Sequence, residues 1–222
     1  QQMGGDRLVI AIAGDFDAKA VTAQLKQAFG GWGKASGAIP QVEPKPRESG
    51  RRVLLVDKPG ATQTYFALAN IGSRHGDPAE AAQDLVHTAF GGRFTSMLNT
   101  ELRIKSGLSY GASAQVQRPR QPGAAVISSF TKTESTKAAI DLAIATLDRL
   151  HKDGLDAATI ESAKRYVAGQ YAPTLETAPQ LAAQLVDMAL YGDSRESVDS
   201  YLGRIAAATP AQIAEARSVF PG

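Results

Sequence analysis

The chain has 222 residues, of which 43% are hydrophobic and 21% are charged, and its formal net charge at pH 7 is +2. This balance is typical of a globular protein with a sizeable core, and it is too weakly basic to favour binding to nucleic acid. No cysteine occurs, which excludes disulfides, thiolate chemistry and cysteine-rich zinc sites. No stretch reaches the roughly 18 apolar residues that a membrane-spanning helix needs.

The first part of the chain predicts one strand and one helix. Residues 8–13 form an apolar run that is typical of a buried strand. Asp17 is then positioned to cap a helix with apolar residues on one face, Val21, Leu25 and Phe29. A stretch rich in Gly and Pro follows and predicts a linker. We expect a strand–helix unit over residues 1–30, a linker over 31–50 and a larger lobe over 51–222.

The sequence does not determine the cellular compartment of the protein. The N-terminal residues have no basic segment followed by an apolar one, so we expect no signal peptide within them. The absence of cysteine favours an exported protein of the bacterial periplasm, but many cytoplasmic proteins also lack cysteine.

The larger lobe begins with two predicted strands, "RRVLLVDKPG" and "TQTYFALANIG", joined by a Pro-Gly turn. Asp77, Pro78 and Glu80 then form the pattern of a helix start with a capping box. A helix over about residues 95–105 comes next.

Two further strands are predicted near residues 109–117 and 123–131, and the remaining chain has helical periodicity. Thr209 and the residues after it form a second capping-box pattern, which starts the final helix. Strands followed by helices predict an α+β fold, in which helices pack on one face of an antiparallel or mixed sheet.

The three histidines show no metal-ligand spacing, and neither H-E-x-x-H nor H-x-x-E-H occurs in the sequence. His87 is interpreted as a residue at the edge of the core, and His75 as a solvated loop residue. No phosphate loop, dinucleotide fingerprint or nucleophile elbow occurs either. We therefore expect no metal, no cofactor and no catalytic nucleophile in this chain.

The stretch "ELRIKSGLSYGASAQV" joins a helix to a strand at Gly107. A buried stripe of Phe94, Leu98 and Leu102 is predicted, which leaves Arg103 off the stripe in the last helical turn. Gly107 suits the left-handed position after the helix, and its turn folds the strand back beside the helix end. Arg103 and Tyr110 then either converge on one patch or are an ordinary dipole-favouring arginine and a packing tyrosine. From the residues alone both interpretations stand.

The segment "GGRFTSMLNTELRIKSGLSY" resembles the pattern G-G-x-F-x-S-x-L-x-x-x-L-R-x-x-x-G-L-x-Y of the pitrilysin/insulinase family of zinc peptidases, which includes mitochondrial processing peptidase. The pattern belongs to the second lobe of these proteins, which lacks zinc. "LVIAIAGDFDAKAVTAQLKQAFGGW" looks like the strand, turn and helix that end the preceding lobe. Residues 51–222 are thereby identified as a C-terminal, non-zinc peptidase lobe.

The resemblance implies a paired architecture that closes around a peptide. A zinc-bearing homologous lobe or subunit carries the metal motif, while Arg103 and Tyr110 bind the peptide substrate and support the oxyanion. This chain is then the substrate-binding half of a zinc metalloendopeptidase and is inactive alone. The alternative is a non-catalytic scaffold or interaction protein from the same family.

The lobe also looks one strand short, because the sequence stops after the final helix where the family continues into a strand. We expect residues 8–13 to fill that position, within their own chain or by strand exchange in a homodimer.

Overall fold

The computed structural model describes residues 3–40, 43, 46, 50 and 52–220, so part of the predicted linker lies outside the described residues. The chain divides into two compact units, Gln1–Glu43 with Gln170–Asp199 and Pro44–Gly169 with Ser200–Gly222. This division reflects contacts within each unit. It does not test the predicted lobe boundaries at residues 30 and 50, which stay predictions.

The secondary structure is mainly helical. In chain order the helices are α1 (Ala18–Phe29), α2 (Glu80–His87), α3 (Met97–Asn99), α4 (Thr136–Asp153), α5 (Ala157–Tyr171), α6 (Ala178–Tyr191), α7 (Arg195–Asp199), α8 (Tyr201–Ala207) and α9 (Pro210–Ala216). Helices α2 and α3 each continue into a π-helical turn, Thr88–Gly92 and Thr100–Lys105. The strands are β1 (Gln63–Ile71), β2 (Ala112–Val116) and β3 (Ala124–Lys132).

In the first unit, helix α1 begins as predicted, because the carboxylate of Asp17 accepts hydrogen bonds from the backbone of Lys19 and Ala20 at 2.8 and 3.1 Å. The prediction of a strand over residues 8–13 is wrong. These residues belong to no ladder in the part of the chain that is described, and Ile10 is 42% exposed. They therefore form no strand, because a strand needs a paired neighbour and no described strand pairs with them.

In the second unit, the three strands form one antiparallel sheet in the order β1-β3-β2. Alternate residues of β3 are buried, Ala125, Ile127, Ser129 and Thr131, so one face of the sheet packs on the core. The core adds side chains from the helical segments of this unit, including Leu85, Phe90, Leu98, Leu102, Leu150 and Ile213, and the side chain of Phe220, which follows the last helical turn. The predicted α+β class is confirmed, with an antiparallel sheet.

The predicted strand within "RRVLLVDKPG" is absent over the described residues 52–58. The Pro-Gly turn after it does form, with Ala61 N donating to Lys58 O at 3.1 Å and Gly60 at φ +76°. The apolar run before the turn stays in solvent, because Val53, Leu54, Leu55 and Val56 are 77–91% exposed. Among the described strands, β1 pairs only with β3, so its second edge is open.

The two predicted capping boxes have different outcomes. The one at Thr209 forms, with Gln212 as its second partner. The one at Asp77 does not, because α2 starts at Glu80 with Ala79 as the N-cap residue. The Asp77 carboxylate instead accepts from the Ser73 hydroxyl at 2.8 Å and from the backbone of Ala79 at 2.9 Å, so it closes a turn before the helix.

Candidate functional site

Arg103 lies in the π-helical turn that ends the α3 segment. Backbone N–H of Ser106 donates to Glu101 O, five residues back, at 3.1 Å, and Gly107 N donates to Arg103 O at 3.2 Å. Gly107 has φ +64°, which is the left-handed conformation that the sequence predicts for it. The π-helical turn itself was not predicted, and such turns are frequent at functional sites.

Tyr110 lies in the loop between that turn and β2, and hydrogen bonds to neighbouring residues fix the backbone of this loop. Ser109 N donates to Leu102 O at 2.9 Å, and the Ser109 hydroxyl donates to Gly111 O at 2.8 Å. Ser129 of β3, only 2% exposed, donates to the hydroxyl of Ser109 at 2.8 Å. The loop is therefore held by buried polar groups, while the Tyr110 side chain remains 76% exposed.

The structure brings Arg103 and Tyr110 together, as the Gly107 turn suggested. The Cζ atom of Arg103 lies over the Tyr110 ring, 4.7 Å from its centroid. That the pair binds a substrate stays a prediction.

A third side chain, Phe94, belongs to the same patch. The Arg103 Cζ atom also lies 4.7 Å from the centroid of the Phe94 ring. The predicted burial of Phe94 is wrong, because this ring is 55% exposed, whereas Leu98 and Leu102 of the same predicted stripe are fully buried. The helix starts later than predicted, with Ser96 as its N-cap, so Phe94 precedes the periodic segment. Recognising Ser96 as the cap would have excluded Phe94 from the helical stripe.

The loop that carries Phe94 is held on both sides. Arg93 donates through Nη1 to the hydroxyl of Ser162 on α5 at 2.9 Å, and its guanidinium lies over the Tyr166 ring, 5.8 Å from the centroid. Ser96 N donates to Arg93 O at 3.0 Å, which closes the turn before α3. Before the loop, Gly91 packs so closely on β2 that an added Cβ would lie 2.5 Å from the backbone nitrogen of Ala114.

The charge of Arg103 is not neutralised by a carboxylate in the described part of the chain. The nearby acid Glu101 is already engaged by Lys105 at 3.0 Å and by Arg149 at 2.9 Å. Burial opposes ionisation of Glu101, but the hydrogen bonds from these two cations keep its pKa below the usual value. The patch of Phe94, Arg103 and Tyr110, called the aromatic–arginine patch below, therefore presents one unpaired guanidinium, one phenol and two exposed rings.

The donor set does not fit a metal ion. Over the residues that the structure describes, no three side chains of His, Cys, Asp or Glu cluster in a way that could hold one. His87 Nε2 lies 2.9 Å from Ala114 O and His151 Nε2 lies 2.6 Å from Phe220 O, so both rings contact backbone carbonyls. Burial lowers the pKa of His87, in line with its interpretation as a core-edge residue. None of the described helices is long and apolar enough to cross a membrane.

Comparison with known proteins gives relatives described as zinc proteases and peptidase domains. The chain is 28% identical over 223 residues to an uncharacterized zinc protease of Streptomyces coelicolor, with 96% of this chain and 48% of that protein covered. It therefore spans about half the length of this relative.

Two solved structures share the fold. The peptidase M16 inactive domain from Pseudomonas fluorescens matches with a TM-score of 0.78 and 24% identity, over 91% of this chain and 48% of that one. A protease from Helicobacter pylori matches with a TM-score of 0.80 and 19% identity, over 93% and 50%. These similarities show that the chain has the same α+β fold as these two proteins.

The sequence identifies the particular domain within that class. Residues 2–167, well over half of the chain, match the family described as the peptidase M16 inactive domain. The chain belongs to this family. This family match confirms the expected resemblance to the non-zinc lobe of a zinc peptidase.

Proposed function

We propose that this chain is the peptide-binding, non-zinc half of a zinc metalloendopeptidase of the pitrilysin/processing peptidase type. The observation that carries the proposal is the convergence of Arg103, on an anchored π-helical turn, and Tyr110, on an anchored loop, with 4.7 Å between the Arg103 Cζ atom and the Tyr110 ring centroid. A scaffold protein has no need of a half-buried guanidinium without a carboxylate partner beside an exposed phenol. Both groups can donate hydrogen bonds to the carbonyl oxygen of a peptide.

The two side chains would act on a peptide carbonyl in different ways. The guanidinium offers a planar set of N–H donors that bind carbonyl or carboxylate oxygens through two hydrogen bonds. The phenol of Tyr110 donates a single hydrogen bond, and such a donor aimed at a developing oxyanion lowers the barrier by about 3–4 kcal/mol. Arg103 therefore holds the substrate, and Tyr110 supports the charge that develops on it.

A homologous lobe or subunit would complete the active site. Zinc is expected there, as the resemblance to the zinc peptidases implies. Helices α1 and α6 contain no buried residue, and the large apolar side chains Phe29, Leu181, Leu185 and Leu190 are 41–49% exposed. These partly exposed apolar side chains are compatible with a protein partner for the first unit.

Two further features of the assembly are part of the proposal. The open edge of β1 supports strand exchange or a homodimer, because unpaired N–H and C=O groups are a template for a strand from another copy. A location in the bacterial periplasm is supported only by the absence of cysteine.

The test compares Arg103→Ala with Lys105→Ala in the assembly of this chain with its zinc-bearing lobe. Lys105 is a matched control, because it lies on the same turn, is charged and pairs with Glu101 outside the patch. With dephosphorylated β-casein as an unfolded substrate, we expect Arg103→Ala to lower kcat/KM by about 100-fold or more, and Lys105→Ala to leave it within about twofold. Casein cleavage that is insensitive to Arg103→Ala would refute the proposal and favour the scaffold alternative.

A further inference from the structure

The guanidinium of Arg103 contacts two aromatic rings, and only one of them belongs to the pair on which the proposed function rests. We propose that Phe94 is a positioning residue of the peptide-binding site, which holds the Arg103 guanidinium in place for the substrate. This inference rests on the proposed function and extends it to a residue with no hydrogen-bonding group of its own. The evidence is the equal spacing of Arg103 Cζ from the two ring centroids, 4.7 Å for Phe94 and 4.7 Å for Tyr110.

The environment of Phe94 does not fit a core role. Its side chain is 55% exposed, while Leu98 and Leu102, the next apolar residues along this segment, are fully buried. A phenyl ring that stays half in water gains little from burial, so packing alone does not account for a phenylalanine at this position. The contact with Arg103 supplies a reason for an aromatic residue in particular, because an aliphatic side chain has no π-face for a cation.

Arg103 needs such support. A free arginine side chain has many rotamers, and this one forms no ion pair with any residue that the structure describes. Lys105 and Arg149, by contrast, are both held by Glu101. Two ring contacts restrict the guanidinium through its charge and its flat face, which leaves its N–H donors free for an oxygen of the substrate. A carboxylate in the same place would have occupied those donors.

A residue can position another only if it is fixed itself. Phe94 follows Arg93, which is hydrogen-bonded to Ser162, and it precedes Ser96, which caps α3. Gly91 packs against Ala114 at a distance that leaves no room for a side chain. The Phe94 backbone is therefore tied to α5, α3 and β2, and the ring is presented from a rigid loop.

The variants Phe94→Leu and Phe94→Tyr separate the role of the ring from that of apolar volume. Leucine keeps an apolar side chain but removes the π-face, whereas tyrosine keeps the ring. In the isolated full chain, NMR of the arginine Nε–Hε groups should show a ring-current shift for Arg103 that Phe94→Leu reduces and Phe94→Tyr retains. Melting temperatures of the three proteins should agree closely, because the side chain is half exposed.

Cleavage of dephosphorylated β-casein by the assembled enzyme then gives a double-mutant cycle. We expect Phe94→Leu to lower kcat/KM by about 2–5-fold in the wild-type background, the effect of one exposed cation–aromatic contact, and to have no effect in the Arg103→Ala background. Phe94→Tyr should stay near the wild-type value. An equal loss in both backgrounds, or no loss in either, would overturn the positioning role while the effect of Arg103→Ala stands. If Arg103→Ala itself has no effect, the proposed function fails and this inference fails with it.

Discussion

The side-chain Oδ1 of Asn99 accepts a hydrogen bond from the backbone nitrogen of Ala112 at 2.9 Å, and this bond connects the helical segment before Arg103 with the strand after Tyr110. Asn99 is the last residue of α3, and Ala112 is the first residue of β2. This bond thus ties the segment that carries Arg103 to the segment that carries Tyr110.

Removing this bond should destabilise the lobe. In Asn99→Ala the N–H of Ala112, a residue that is 5% exposed, loses its partner, so we expect the free energy of unfolding to fall by about 1–3 kcal/mol. Asn99→Asp keeps an acceptor oxygen and should lose less. Urea denaturation followed by circular dichroism measures both variants, and wild-type stability of Asn99→Ala would contradict the role given to this bond.

Replacement of Tyr110 by Phe should separate function from stability. The ring that contacts Arg103 is retained and only the hydroxyl of a 76% exposed side chain is lost, so the melting temperature should stay within about a degree of wild type. In the assembled enzyme we expect turnover of casein to fall by roughly 10²–10³, the usual effect of losing one oxyanion donor. Unchanged turnover would remove Tyr110 from the site, and a large loss of stability would indicate a structural role instead.

The local signals in the sequence predicted much of this architecture. The caps at Asp17 and Thr209 depend on side chains within three residues of the helix start, and both form. The approach of Arg103 to Tyr110 was predictable for a similar reason, because it depends on one left-handed glycine between them, Gly107. Such short-range signals were not sufficient everywhere, because the capping box predicted at Asp77 does not form.

The features that the sequence analysis missed depend on strand pairing or on local helix geometry. Neither can be recognised from the pattern of apolar residues. Residues 8–13 and 52–58 are rich in strand-forming side chains, but a strand also needs a neighbouring edge, and no described edge pairs with them. Phe94 was assigned to the buried stripe because it lies at helical spacing from Leu98, although the helix begins only after its N-cap residue, Ser96. The π-helical turn at Arg103 changes the period locally, which a search for 3.6-residue spacing does not detect.

The stability of the second unit should depend on the protonation of His87. Its Nε2 faces the carbonyl oxygen of Ala114, which can only accept, so Nε2 carries the hydrogen of a neutral ring. Burial lowers the pKa of His87 in the folded chain below its ordinary value of 6.5. As pH falls below about 6.5 the unfolded chain therefore binds more protons than the folded one, and the free energy of unfolding decreases.

The variant His87→Gln provides the control, because it keeps a side-chain N–H donor and removes the titrating ring. We expect its free energy of unfolding to decrease less than that of the wild type between pH 7.5 and 5.5, as measured by urea denaturation at a series of pH values. Parallel curves for the two proteins would show that His87 does not contribute to the pH dependence.

The isolated chain should contain no tightly bound zinc. It has no cysteine, and the described residues include no cluster of ligand side chains. Elemental analysis of the dialysed chain should accordingly give far less than one zinc per chain, while the assembly with the proposed zinc-bearing lobe should retain the metal. One stoichiometric zinc in the chain alone would contradict the assignment of the metal to the other lobe.

Gly91 and Gly92, which precede the Phe94 loop, pack closely on their neighbours because they have no Cβ atom. A Cβ at Gly91 would lie 2.5 Å from Ala114, and one at Gly92 would lie 2.7 Å from the ring of His87. Alanine at Gly91 would collide with the backbone of β2, whereas alanine at Gly92 would require the His87 ring to move. For protein engineering, changes at the exposed rings of Phe94 and Tyr110 should affect activity more than folding, whereas a larger residue at Gly91 should disturb the packing of the chain on β2.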